Sequence, residues 1–227
     1  MIISYLVCAL MSYLVGTINP SYLISRLKHF DIRDAGSKNA GGTNALMAMG
    51  GKVGAFCMIF DVLKAFFIVK MSMNLMPDPA IGMAVSSTFV ILGHIFPFYM
   101  NFKGGKGLAC LGGSLLAYSF TVAMIFLFVE IVIVLIVNYM VVVPISGSIA
   151  YPIVYYLRGG PVIGTAILFL STAAILYKHR ENLKRIRAGR EVHFSYLWKK
   201  EKELERVKNN MGDEEYDKLQ VKKNAKR

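Results

Sequence analysis

Five apolar stretches, at about residues 2–27, 53–76, 80–98, 108–157 and 161–178, decide what this chain can fold into. A run of about 20 apolar residues is long enough to cross a bilayer core as a helix. Inside that core the backbone satisfies its own hydrogen bonds only in helices or closed barrels. The chain is 55% apolar with a mean hydropathy of +0.49, and the expected class is all-α: a polytopic integral membrane helical bundle. The stretch 108–157 has 50 residues, too many for one crossing. It crosses three times if it breaks near Tyr118-Ser119 and between Asn138 and Ser148, which makes seven helices; a single crossing makes five. The first 28 residues have neither a basic region before the apolar run nor a small-residue cleavage site after it, so they read as a span and not as a signal peptide.

Positive residues orient the bundle. Arg26, Lys28, Arg33, Lys38 and Lys52 lie between the first two runs, Lys103 and Lys106 follow the third, and the tail from Lys178 to Arg227 carries 16 Lys+Arg against 9 Asp+Glu. The Pro77-Asp78-Pro79 turn carries no basic residue. The expected topology is a multi-pass cell-membrane protein with the N-terminus outside and the C-terminus cytoplasmic. Residues 1–192 form the membrane domain, and 193–227 a charged, solvated, partly helical cytoplasmic tail. The basic tail suits an anionic lipid surface. It has few aromatics to stack bases, so no nucleic acid is expected as a partner. A lone acid, Glu130, falls in the fourth apolar run, either as a functional group or close to the outer interface.

Three polar segments then share the cytoplasmic face. The first is Gly36-Ser37-Lys38-Asn39-Ala40-Gly41-Gly42-Thr43-Asn44. The second is Lys103-Gly104-Gly105-Lys106-Gly107, which follows Gly93-His94-Ile95-Phe96-Pro97. The third runs from Lys178-His179-Arg180-Glu181-Asn182 to Arg185 and Gly189-Arg190-Glu191. Glycines let backbone N–H groups approach a ligand and lysines add positive charge, so these loops suit a phosphate or another oxyanion at the membrane surface. The second segment is not a P-loop: that spacing needs glycine where Met100 sits and Ser or Thr where Gly107 sits. The three cysteines and four histidines are scattered, and neither a metal site nor a cofactor is expected.

These three segments, in this order and spacing, resemble the bacterial acyl-phosphate-dependent glycerol-3-phosphate acyltransferases, the PlsY family. The resemblance covers about residues 1–192 and includes Asp61-x-x-Lys64 on the second run and Gly16 with Asn19-Pro20 on the first. It implies transfer of an acyl group from acyl phosphate to glycerol 3-phosphate, giving lysophosphatidic acid and phosphate in phospholipid synthesis. It implies catalytic roles for Ser37, His179 and Asn182. Substrate binding would fall to Asn39, Thr43, Asn44, His94, Lys103, Gly104, Gly105, Lys106, Gly107, Ser148 and Glu191. The backbone N–H groups of Gly104, Gly105 and Gly107 would hold the donor's phosphate, His179 would be the side-chain base, and Ser148 would match a serine in a loop before a later helix. Membrane lipids, and possible partner enzymes of lipid synthesis, complete the implied partners. One departure stands out: Met47 occupies the place of a family arginine implicated in holding glycerol 3-phosphate, with Lys52, Arg33 and Lys38 nearby in sequence. Two other readings of the same loops are a transporter of an organic phosphate anion and a degenerate, non-catalytic copy.

Overall fold

A computed structural model describes residues 2–197 and 199–211, and among these every regular element is helical. The helices are α1 (Ile2–Thr17), α2 (Pro20–Leu27), α3 (Gly42–Met49), α4 (Gly51–Leu75), α5 (Pro79–Ile95), α6 (Leu108–Tyr118), α7 (Phe120–Val137), α8 (Val142–Leu157), α9 (Val162–Arg187) and α10 (Lys200–Met211), with short 3-10 turns at Ile32–Asp34, Phe98–Met100 and Phe194–Leu197. The long stretch 108–157 is three helices, broken at Ser119 and at Asn138 to Val141. By length and apolarity alone, three helical segments suffice to cross a membrane, Pro79–Met100, Phe120–Val137 and Val162–Arg187, and a fourth if α1 and α2 count as one. The remaining helices are charged or short. Helix α4 has 25 residues but carries Asp61 and Lys64, and α6 has 11, roughly 16 Å at 1.5 Å per residue.

Local chemistry sets the helix ends. Asp78 caps α5 by accepting from the N–H groups of Ala80 and Ile81, and Pro79 supplies a first residue that needs no acceptor. Ser119 caps α7 by accepting from Val122. Asn138 ends α7 in the left-handed region, at φ 62°.

The first apolar run is not one straight span. It bends by 41° between α1 and α2, because Pro20 cannot donate and the Asn19 side chain takes the Tyr22 N–H instead. The bend frees carbonyls inside the bundle. Tyr99 Oη donates to Thr17 O at 2.7 Å and Lys64 Nζ to Ile18 O at 2.6 Å. A second proline shows the same logic. Pro152 in α8 leaves the Ser148 carbonyl without its helical donor, and Thr172 Oγ1 of α9 fills the gap at 2.6 Å. Ser148 itself lies inside α8, with its hydroxyl donating to Ile145 O. The expected loop position is therefore corrected to a buried helical one.

Helix α5 is the hub and packs against α1, α4, α6 and α9. A β-carbon at Gly93 would fall 2.1 Å from Tyr13 O, so α1 and α5 approach closely only through glycine. Helix α7 lies at the periphery, with 17% of its span buried. Glu130 is the eleventh of its 18 residues. It is buried and accepts from Ser146 Oγ of α8 at 2.8 and 2.7 Å. Its place is therefore in the body of α7, bonded across to α8.

Candidate active site

The Phe98–Gly107 loop folds back into the bundle. Asn101 and Phe102 adopt left-handed backbone conformations and reverse the chain. The N–H groups of Gly104 and Gly105 then donate to the carbonyls of Ile95 and His94, each at 3.0 Å. Those two donors close the C-terminus of α5, so the expectation that they hold a phosphate is corrected. Why glycine is needed is also visible: a β-carbon on Gly105 would lie 2.0 Å from His94 Nε2. Gly107 has φ +91°, a conformation that favours glycine, and sits against Ile91, Ile95 and Ile175. Among the described residues the N–H groups of Lys106 and Gly107 meet no backbone acceptor. They and the first turn of α6 are the donors left for an anion.

Second and third segments meet at Lys106. Its Nζ donates to Asn182 Oδ1 at 2.7 Å, and Asn182 Nδ2 donates to Glu191 Oε1 at 2.7 Å. Arg185 Nε pairs with the other Glu191 oxygen. Lys178 Nζ reaches Gly104 O at 3.3 Å and staples α9 to the loop. Burial lowers the affinity of Lys106 for its proton, neighbouring Arg185 and Lys178 add to that, and Glu191 opposes it. An anion arriving beside Lys106 would meet a cation that is incompletely neutralised and partly stripped of water.

His179 lies one turn before Asn182 on α9, and both are buried. Its Nδ1 is 2.8 Å from Ile175 O. A carbonyl can only accept, so Nδ1 carries the hydrogen and Nε2 keeps its lone pair in the neutral ring. The helix thus presents a base with a fixed tautomer.

Beneath the loop, Asp61, Lys64 and His94 form a buried cluster. Lys64 Nζ lies 2.6 Å from Asp61 Oδ1 and 3.2 Å from His94 Nδ1. The Asp61, His94 and Cys110 donor atoms lie within 4.8 Å of one another, an arrangement that could ligate a metal. The Lys64 ammonium sits against two of these donors, so the cluster already contains its cation. His94 thus touches the underside of the Gly-Lys loop and is held from below.

The first segment is organised around Asn44, which is buried. Its Nδ2 lies 2.9, 3.0 and 2.9 Å from the carbonyls of Ile32, Ala35 and Asn39, and its Oδ1 accepts from Ser37 N at 2.8 Å. Asn44 therefore shapes the loop, while Ser37, Thr43 and Lys103 are exposed and Asn39 is partly so. Asn44→Ala should orphan Ser37 N–H and the Asn39 carbonyl, at about 1–3 kcal/mol per buried group. A lowered Tm together with a raised KM for the acceptor is the expected result; an unchanged KM would deny the loop a role in binding.

Arg33, absent from the expected site residues, joins the first and second segments. It pairs with Asp31 at 2.7 Å, donates to Met100 O at 2.7 Å and stacks on Tyr22. Arg33 is thus committed and is a poor substitute for the arginine missing at Met47, which is itself 56% exposed. Among the described residues no hydrogen bond joins Ser37, Asn39 or Thr43 to Lys106 or His179. The third segment has another unexpected neighbour. His193 is half-buried and lies between Tyr139 Oη and Glu203 Oε1, each at 3.0 Å.

The glycerol-3-phosphate acyltransferase family profile matches residues 6–189. The chain belongs to this family. Among its acyltransferase relatives, one from Pseudothermotoga lettingae is 38% identical over 183 residues, covering 81% of this chain and 90% of the relative. One from Lactiplantibacillus plantarum is 33% identical over 214 residues, covering 88% and 98%. The crystal structure of PlsY, an integral membrane glycerol 3-phosphate acyltransferase, in its glycerol 3-phosphate form is similar with a TM-score of 0.77 and 32% identity, covering 86% of this chain and 97% of that one. Its lysophosphatidic acid form gives a TM-score of 0.71 at 33% identity.

Proposed function

We propose that this acyltransferase moves a fatty acyl group from acyl phosphate to a hydroxyl of glycerol 3-phosphate, at the cytoplasmic face of the cell membrane, with its N-terminus outside. The observation that carries the reading is the junction of the second and third segments at Lys106–Asn182, one turn from His179. In the reaction the acceptor oxygen attacks the acyl carbonyl carbon, the bond from that carbon to the phosphate oxygen breaks, and inorganic phosphate leaves. The hydroxyl proton passes to His179 Nε2 or to the departing phosphate. A mixed anhydride is already activated, so anion binding, alignment and proton removal suffice. Lys106, the N–H groups of Lys106 and Gly107 that meet no backbone acceptor, and the α6 N-terminus bind the phosphate of the acceptor, glycerol 3-phosphate. Lys103, Ser37, Asn39 and Thr43 bracket the solvent side and position the acceptor. Glu191 and Asn44 act through Asn182 and the first loop.

An apolar cavity supports a place for the acyl chain. It lies between α6, α7 and α8 and is lined by Leu108, two residues beyond Lys106, with Leu111, Leu115, Leu127 and Glu130. The polar head then reacts at the loop while the tail stays among helices.

The donor test uses the purified protein in detergent with glycerol 3-phosphate and either palmitoyl phosphate or palmitoyl-CoA. Lysophosphatidic acid should form from palmitoyl phosphate only. Equal rates from the thioester would overturn the donor assignment. Product seen only in a Met47→Arg variant would identify a degenerate copy.

A further inference from the structure

We propose that helix α10, which lies beyond the 6–189 region shared with the family, is a clasp that positions Glu191, and through it Lys106, for the acceptor. The argument rests on a continuous chain of contacts. Arg206 spreads its guanidinium over the turn where the chain leaves α9: Nη1 donates to Gly189 O and Nη2 to Glu191 O, both at 2.7 Å. Asn210 Nδ2 also donates to Gly189 O, at 2.8 Å. The Glu191 side chain receives Asn182, and Asn182 receives Lys106. Arg206 therefore fixes the backbone of the residue whose carboxylate orients the Lys106 partner.

The clasp has its own anchor. Glu203 is buried and accepts from Arg206 Nε at 3.1 Å, and it lies 3.0 Å from His193 Nδ1 and 3.3 Å from Ser195 Oγ. Ser195 and Asn138 exchange hydrogen bonds, Ser195 N to Asn138 Oδ1 at 2.9 Å and Asn138 Nδ2 to Ser195 Oγ at 3.2 Å, and Phe194 N donates to Asn138 O. Helix α10 is thereby tied to the α7–α8 turn as well as to the end of α9. A solvated tail needs neither a buried carboxylate nor an arginine spent on two carbonyls; a part that holds a turn in one geometry needs both. Glu203-x-x-Arg206 sits at i, i+3, so the pair shares one face of α10. Preorganisation of this kind lowers the ordering that a ligand must impose on binding.

Arg206 is a positioning residue, and the inference rests on Lys106 as the phosphate-binding cation. The test is steady-state kinetics of the full-length chain with palmitoyl phosphate and varied glycerol 3-phosphate, for the parent, Arg206→Ala, Arg206→Lys and the milder Glu203→Gln. Loss of the fork should raise KM for glycerol 3-phosphate about tenfold, on the order of one hydrogen bond to a charged group, with kcat within about twofold. Arg206→Lys should recover part of it. Amide exchange at 189–191 should rise in Arg206→Ala. An unchanged KM in folded Arg206→Ala or Glu203→Gln beside an active parent overturns the clasp, even if Tm falls. A parent that makes no lysophosphatidic acid overturns the acyl-transfer reading and the clasp with it.

Discussion

Lys106→Ala should lower kcat/KM for glycerol 3-phosphate by about 10²-fold or more while the protein stays folded. Removing one preorganised donor from a site where charge develops typically costs about 10²–10³ in rate, and here the donor is a cation. Its ammonium is half-buried and pairs with Asn182. An anion bound there without Lys106 would face the incomplete donor set of the α6 N-terminus. Among the described residues no hydrogen bond or ion pair joins this side chain to the Asp61–Lys64–His94 cluster, so Tm should move little. Rates would be followed by lysophosphatidic acid formation, and Lys106→Arg serves as the control that keeps charge but alters shape. Activity within a few-fold of the parent would remove Lys106 from the reaction.

Lys64→Met should be the most destabilising single change. Lys64 meets the Asp61 carboxylate, the His94 ring and the Ile18 carbonyl exposed by the α1–α2 bend. The Lys64 and Asp61 side chains are 3% and 2% exposed. Methionine fills about the same volume but leaves the buried Asp61 carboxylate without its ammonium, with only the His94 ring 3.4 Å away, and breaking a buried pair from one side costs about 3–5 kcal/mol. His94 would lose its support beneath Gly105, so activity should fall together with Tm. The double change Asp61→Asn with Lys64→Met removes the uncompensated charge and should recover much of the stability. Thermal unfolding in detergent gives the comparison. A Lys64→Met protein as stable as the parent would mean that the cluster does not hold the bundle.

Residue types and spacing carried part of this in the sequence. The apolar runs announced a helical membrane protein, and the breaks at Ser119 and Asn138 fell within the expected intervals because a capping serine and a left-handed asparagine are local signals. The bend at Ile18–Asn19 had a local signal in Asn19-Pro20, but the partners of the carbonyls it opens, Tyr99 and Lys64, are remote in sequence. Ser148 reads as a loop residue in Ser146-Gly147-Ser148, yet Thr172 makes a helix tolerable there by taking the carbonyl that Pro152 leaves open. The Gly-Lys loop was legible as a glycine-rich, cationic turn after an apolar run. That Gly104 and Gly105 spend their N–H groups on α5 was not, because it depends on how deeply the loop folds back. Nothing local in Glu203 or Arg206 separates a docked helix from a solvated one; the difference lies in Gly189 and Glu191, which offer carbonyls to the fork.

Phosphate and lysophosphatidic acid, measured together in one reaction of the purified protein with palmitoyl phosphate and glycerol 3-phosphate, test the central claim most directly. The account predicts that the two appear in equal amounts, at a rate that saturates with glycerol 3-phosphate. Phosphate released without lysophosphatidic acid, or neither product from a preparation shown to be folded, would contradict it.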